Sequence, residues 1–308
     1  MTAGVITERP GVDRPVTVRS LFERAVDILA ASGIADPQVD AELLIGHVLG
    51  ASRGRVQSLA VTDAPIGPEE TLAIVEAVER RAAREPLQHI TGTAHFRSLE
   101  LSVGPGVFVP RPETEFVAGL AIDALRAVVP AGDPLLSADA GPAAVDLGTG
   151  SGAIALALAT EVPHARVVAV ENSTAAFIWA KENFRRVGAA NSRLIFIDLA
   201  DALPEEGGRF DVVVSNPPYI PLGAIPRDPE VRLHDPEHAL YGGEDGLDVV
   251  RSVSQTAARL IRAGGTLVIE HGELQGAEIR ALLEADGWRA TATHRDLTGR
   301  DRATTALR

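Results

Sequence analysis

The chain has 308 residues, 45% of them hydrophobic, which is enough to bury a sizeable core in one large domain or two ordinary ones. A net charge of −13 argues against a protein that grips nucleic acid through a basic face, and no direct nucleic-acid binding is expected. The absence of cysteine excludes disulfides, thiolate metal sites and a cysteine nucleophile, and no metal site is expected. No apolar stretch is long enough to span a bilayer, so no membrane association is expected and the cytoplasm is the expected location.

Residues 1–15 are polar and proline-bearing and read as a disordered tail. Residues 16–88 read as a small domain of three helices. The first carries Leu21, Ala25, Ile28 and Leu29 on one face. The second opens with Asp36 as N-cap and Pro37 at the first helical position and closes at Gly50. The third opens near Gly67 and Pro68, with Glu69 and Glu70 where the helix dipole favours anions, and ends in the arginine-rich 80–84 stretch. The charged faces of this domain read as solvated surface.

Residues 89–112 read as a β-hairpin linker, because His95 to Val103 alternates apolar and polar residues before Gly104-Pro105-Gly106 breaks the pattern. From 113 to 308 the pattern is that of a catalytic α/β domain. A helix runs from Glu113 to about 129, and a loop follows at 130–142. Strands are expected at 143–147, 166–170, 194–197, 210–214 and 266–270. The intervening helices are expected at 153–160, 174–187 and 246–262. Alternating β and α with continuous apolar strands predicts a parallel sheet covered on both faces. Ligands of such sheets bind at the carboxyl ends of the strands, here 147–152, 171, 198 and 215–219.

The first of these positions holds Asp146-Leu147-Gly148-Thr149-Gly150-Ser151-Gly152. Glycines let the backbone turn tightly and approach a ligand, and a helix start offers N–H groups to a polar group. By itself the loop leaves three readings open: a structural turn, a nicotinamide or flavin site, and an adenosylmethionine site. Glu171 falls where an acidic ribose ligand belongs in both ligand readings. Asp146, two residues before the first glycine, favours the third, because Asp-x-Gly-x-Gly-x-Gly resembles the first motif of class I methyltransferases. In that likeness Asp146 organises the loop and faces the ammonium end of the methionine moiety. Glu171 accepts from both ribose hydroxyls. Asp198 and Leu199 lie at the adenine, although a strand-end Asp is often only a helix cap.

A second signal is Asn216-Pro217-Pro218-Tyr219, where an apolar strand stops at two prolines that cannot donate to a ladder. An ordinary strand-ending turn is the bland alternative. Next to the glycine loop, a site for a planar amide or amine nitrogen is favoured. The lone pair of such a nitrogen is delocalised, so acceptors on its two N–H bonds would orient it and help it rehybridise. The Asn216 side-chain oxygen and the Pro217 carbonyl can be those acceptors, and the Asn216 amide nitrogen can donate to the substrate carbonyl. Tyr219 can stack on the planar group near developing positive charge. Asn216, Pro217 and Tyr219 are the catalytic candidates, and Pro218 completes the substrate pocket.

Taken together the chain resembles the HemK/PrmC family of release factor glutamine N5-methyltransferases over nearly its whole length. The likeness also rests on Pro86 to Gly92, Val109-Pro110-Arg111-Pro112-Glu113-Thr114-Glu115, Leu240 to Asp248, Glu270-His271-Gly272 and Asp296 to Asp301. It implies a Rossmann-like class I methyltransferase fold with a helical N-terminal domain that helps dock the substrate. It implies S-adenosylmethionine as donor, S-adenosylhomocysteine as product, and the glutamine of the Gly-Gly-Gln loop of class I release factors as acceptor. Asn216 would also border the cofactor. A monomer is expected. The family usually carries Asp where this chain has Glu171. Arg111 and Glu115 are expected at the mouth of the site, with mutual pairing the simplest role for them. Rival readings are a ribosomal-protein glutamine methyltransferase, an adenine-N6 nucleic-acid methyltransferase, and a binding protein without activity.

Overall fold

A computed structural model describes residues 16–128 and 141–308. The tail at 1–15 and nearly all of the loop expected at 130–142 lie outside the described residues. The chain divides into two units between Thr91 and Gly92.

The first unit contains α1 (Val18–Ala31), α2 (Pro37–Leu49), α3 (Arg53–Val61), α4 (Pro68–Ala82) and α5 (Leu87–Thr91). Leu29, Leu44, Ile45 and Ile74 form its own core. Pro37 opens α2 and Gly50 closes it at a left-handed φ of 58°, as the sequence indicates, but Asp36 makes no side-chain capping bond. Two helices were not expected. In α3 only Val56 is buried, so no apolar stripe marks it. The short α5 has no room for a periodic pattern. The arginine-rich stretch is not all solvated surface, because Arg81 is buried and ion-paired to Asp40 of α2 at 2.7 Å.

The second unit opens with a hairpin of β1 (Thr93–Phe96) and β2 (Leu99–Ser102), turned at Arg97-Ser98. There follow α6 (Pro112–Arg126), β3 (Ala143–Leu147), α7 (Ala153–Glu161), β4 (Arg166–Glu171), α8 (Thr174–Val187), β5 (Ser192–Phe196) and β6 (Phe210–Ser215). The chain ends with α9 (Pro229–His234), α10 (Asp248–Leu260), β7 (Ile261–Glu270), α11 (Gly276–Ala285), β8 (Arg289–Arg295) and β9 (Asp301–Leu307). The sheet has seven strands in the order β5-β4-β3-β6-β7-β9-β8. β5 to β7 are parallel, while β9 and β8 are antiparallel additions, so the expectation of a parallel sheet holds only for its first five strands. β9 escapes a sequence reading because Arg302 and Thr304 stand at buried positions and break its apolar run.

Alternation along the strands feeds two cores. Ala144, Val167, Val212 and Val268 pack under α6 and α7. Val145, Leu147, Val213 and Ile269 pack under α10 and α11. The strand expected at 194–197 is not buried as foreseen. β5 is an edge strand, half-covered, with Phe196 exposed. β3 and β6 are neighbours, which brings the glycine loop beside the Asn-Pro-Pro-Tyr turn. The Ser215 hydroxyl ties the two strand ends by donating to the Leu147 carbonyl at 2.7 Å.

Candidate active site

A cavity of about 670 Å³ opens at the carboxyl ends of β3, β4 and β6, within the range of small-ligand sites. Gly148, Thr149, Gly150 and Ser151 line it, with Glu171, Asp198 and Leu199. Asn216, Pro217, Pro218 and Tyr219 line it from the next strand. Two residues singled out in the sequence, Asp146 and Gly152, do not border it and act beneath the loop.

The loop shows why its glycines are glycines. Gly148, Gly150 and Gly152 have φ of 74°, 59° and 87°, the left-handed region that residues with a Cβ avoid. Asp146 is fully buried, and its Oδ2 accepts from the Thr149 hydroxyl at 2.6 Å and the Ala155 N–H at 3.1 Å. Burial pushes this carboxyl up to about 7, the two hydrogen bonds pull it back, and the charge of Glu171 adds to the rise. Its Oδ1 is buried without a hydrogen bond. Asn183 of α8, which the sequence did not mark, is fully buried and donates to the Ser151 carbonyl and to the Ser102 carbonyl, both at 2.9 Å. It anchors the loop to the hairpin.

The loop's N–H groups are mostly spent inside the protein. Those of Gly148 and Thr149 go to the Val170 carbonyl, and that of Gly152 goes to the Thr149 carbonyl. That of Gly150 goes to Glu171 Oε2 at 2.8 Å. Glu171 Oε1 accepts from the N–H groups of Asn172 and Ser173. This arrangement leaves the loop from Gly148 to Gly150 without a free N–H donor for a pyrophosphate. It offers carboxylates, which suits hydroxyl donors and a cationic ligand. Asp198 has two places in the structure. It borders the cavity and caps a short 3₁₀ turn by accepting from the Ala200 N–H, and it also accepts from Asn172 Nδ2 at 2.7 Å.

On the other wall, Asn216 Nδ2 donates to the Thr114 hydroxyl of α6 at 3.3 Å. Among the described residues, neither Asn216 Oδ1 nor the Pro217 carbonyl accepts a hydrogen bond. The glycine-rich segment after Leu240 holds this turn in place. Ile220 N–H donates to the Leu240 carbonyl and Gly242 N–H to the Ile220 carbonyl, each at 2.9 Å. A Cβ on Gly242 would lie 2.4 Å from the Pro218 carbonyl oxygen, and one on Gly246 would lie 2.4 Å from that of Tyr219. Gln275 donates to the same Tyr219 carbonyl at 2.9 Å. The sequence flagged 240–248 as characteristic without disclosing this supporting role.

Arg111 and Glu115 do not pair with each other. Arg111 donates to the buried Asp235 at 2.7 Å, and Glu115 accepts from the Arg97 backbone N–H at 2.9 Å. Tyr219 presents part of its ring to the cavity while its hydroxyl is buried beside Glu270 and Arg302; burial raises its pKa. Tyr219→Phe should therefore keep the ring surface yet cost about 1–3 kcal/mol of stability, the range for buried polar groups deprived of a partner. Urea unfolding checks this, and an unchanged midpoint would show that the hydroxyl is not needed by its neighbours.

Residues 20–92 match the family model described as the PrmC N-terminal domain, and residues 134–224 match that of the methyltransferase small domain. Together with the fold and the site, this defines the protein as a methyltransferase with a Rossmann-like catalytic unit. Among its relatives is the release factor glutamine methyltransferase of Streptomyces coelicolor, 49% identical over 287 residues, covering 92% of this chain and 95% of that one. That of Mycolicibacterium smegmatis is 46% identical, covering 94% and 98%. A 4-amino-L-phenylalanine/4-methylamino-L-phenylalanine methyltransferase of Streptomyces pristinaespiralis is 39% identical, covering 96% of each chain. The chain belongs to the release factor glutamine methyltransferase family.

Proposed function

We propose that the protein transfers a methyl group from S-adenosylmethionine to the side-chain nitrogen of the glutamine in the Gly-Gly-Gln loop of class I release factors. The observation that carries this reading is the pair of hydrogen-bond acceptors on successive residues of the cavity wall, Asn216 Oδ1 and the Pro217 carbonyl, which the protein leaves uncommitted. An amide nitrogen has two N–H bonds to give to them. The cofactor fits the opposite wall: carboxylates face the cavity, and the buried Asp146 carboxyl under the loop would be stabilised in its charged form by a nearby cation. S-adenosylmethionine would supply an electrophilic methyl group there. Glu171 would hold the ribose hydroxyls, Asp198 and Leu199 the adenine, and the 148–151 loop the methionine end. Asn216 and Pro217 orient the amide, and Tyr219 covers its face. No strong base is required, since an N-protonated, N-methylated amide is very acidic. The protein's contribution is positioning and electrostatics.

Residues 16–88 serve in this reading to dock the release factor, 89–112 link the parts, and 113–308 do the chemistry. The enzyme acts as a monomer in the cytoplasm. Among the described residues no helix is long and apolar enough to cross a membrane. Titration calorimetry should show binding of S-adenosylmethionine and none of NAD(H). Glu171→Ala should weaken cofactor binding by at least about 1.5–3 kcal/mol, because it removes a charged acceptor and also frees the Gly150 N–H. Tighter binding of NAD(H) would defeat the assignment. Mass spectrometry of release factor, ribosomal proteins and 4-aminophenylalanine, each incubated with enzyme and cofactor, tests the acceptor. Methylation of either of the latter in preference to release factor would replace the reading.

A further inference from the structure

We propose that Glu270 is a positioning residue which, through the Thr114 hydroxyl, fixes the Asn216 carboxamide so that Oδ1 rather than Nδ2 is offered to the acceptor nitrogen. This rests on the reading that Asn216 holds that nitrogen.

Glu270 ends β7 and is 1% exposed. Its Oε2 is buried with no hydrogen bond. The groups around the carboxyl are Thr114 and Glu113 from α6, Arg302 from β9, and the Tyr219 hydroxyl. Arg302 is shared with Asp296 at 3.3 Å. The neighbouring His271 ring is committed to Thr304 and to the Gly272 carbonyl, each at 2.9 Å. A carboxyl kept in such a place is costly, and an apolar side chain would pack there without that cost. The expense points to a use.

The use follows from counting protons. A carboxamide can turn end for end with little change in shape, so its hydrogen-bond partners decide which end faces which way. A hydroxyl has one proton to give. When Thr114 gives it to a Glu270 carboxylate, only lone pairs remain for Asn216. Nδ2 must then face Thr114, as observed at 3.3 Å, and Oδ1 turns to the cavity. When Glu270 is protonated it can donate to Thr114, which frees the Thr114 proton for Asn216. The carboxamide is then drawn round, and the substrate N–H meets another N–H. Burial raises the Glu270 carboxyl to about 7, with Thr114 and Arg302 pulling it down and Glu113 pushing it up. The active form is the carboxylate, so the rate should climb as pH rises through about 7.

The test is single-turnover methyl transfer by the full chain from pH 6 to 9, with saturating S-adenosylmethionine and release factor. Saturation keeps Asp146, which titrates in the same range on the cofactor side, from limiting the rate. Glu270→Gln should lower the rate about 10- to 100-fold, as for groups that orient a functional side chain, and flatten the climb with pH. Its affinity for S-adenosylmethionine should be unchanged. Thr114→Val should do the same, Thr114→Ser should recover what Thr114→Val loses, and the double variant should be no worse than the poorer single. A folded Glu270→Gln with the wild-type rate and pH profile would overturn the proposal. If Glu270→Gln does not fold, a climb through about pH 7 that persists in Thr114→Val overturns it instead. Slow Asn216→Ala beside normal Glu270→Gln and Thr114→Val sinks the relay and spares the amide-holding reading. Asn216→Ala at the wild-type rate sinks both.

Discussion

Asn216→Ala should slow methyl transfer by about 10²–10³, the effect of removing one preorganised polar group, while the protein stays folded and binds its cofactor. The structure separates these roles. The fold loses only the bond from Asn216 Nδ2 to Thr114, a long one at 3.3 Å, worth about 0.5–1.5 kcal/mol. The glycine loop is held by Asp146, Asn183 and Glu171, none of which leans on Asn216. What disappears is the side-chain acceptor, leaving the Pro217 carbonyl alone on one N–H. Asn216→Asp should be nearly as damaging for a different reason. A carboxylate can accept from the substrate but cannot donate, and Thr114 would then face carboxylates from both sides. Negative charge next to the sulfonium also stabilises the ground state more than the transition state, in which that positive charge is vanishing. Release factor carrying Gln in its Gly-Gly-Gln loop should react, and the Glu variant should not. Rapid-quench measurement at saturating cofactor checks this. A wild-type rate for Asn216→Ala, or methylation of the Glu variant, would remove the amide-holding mechanism.

The parts of this molecule legible in its sequence are those where one physical signal dominates. β3 and β6 are wholly buried, mainly apolar strands, and each runs straight into the residues that border the cavity. The three glycines after Asp146 stand at left-handed φ, so the backbone itself demands them. The less legible parts depend on partners distant in sequence. Nothing near Glu270 says that Thr114, more than a hundred positions earlier, will stand beside it, or that Asn183 will reach the Ser151 carbonyl. α3 and β9 leave no periodic trace in the sequence because their buried faces are too narrow or too polar. The Arg111–Asp235 bridge joins two loops that no local pattern connects. The residues that line the cavity carry their chemistry in the sequence, whereas the residues that hold them in place are set by contacts between distant segments.

Removing residues 1–91 should leave cofactor affinity close to that of the full chain but lower kcat/KM on intact release factor by on the order of 10². All the cavity residues lie beyond Gly92, and the second unit has its own cores on both faces of the sheet. The first unit likewise closes a separate core around Leu29, Leu44 and Ile74, with the buried Asp40–Arg81 pair inside it, so it is built to be a body rather than a tail. If its task is docking, its removal takes away substrate binding made equally in ground and transition states. That raises KM and leaves kcat nearly unchanged. Losing one or two anchor side chains at an interface costs about 3 kcal/mol, which sets the size of the effect. A short peptide containing Gly-Gly-Gln, too small to reach a second site, should be methylated equally by both proteins. Steady-state kinetics on the two substrates decides the matter. Equal kcat/KM on intact release factor would strip residues 16–88 of the docking role, and a matching loss on the peptide would show that the first unit serves the catalytic unit instead of the substrate.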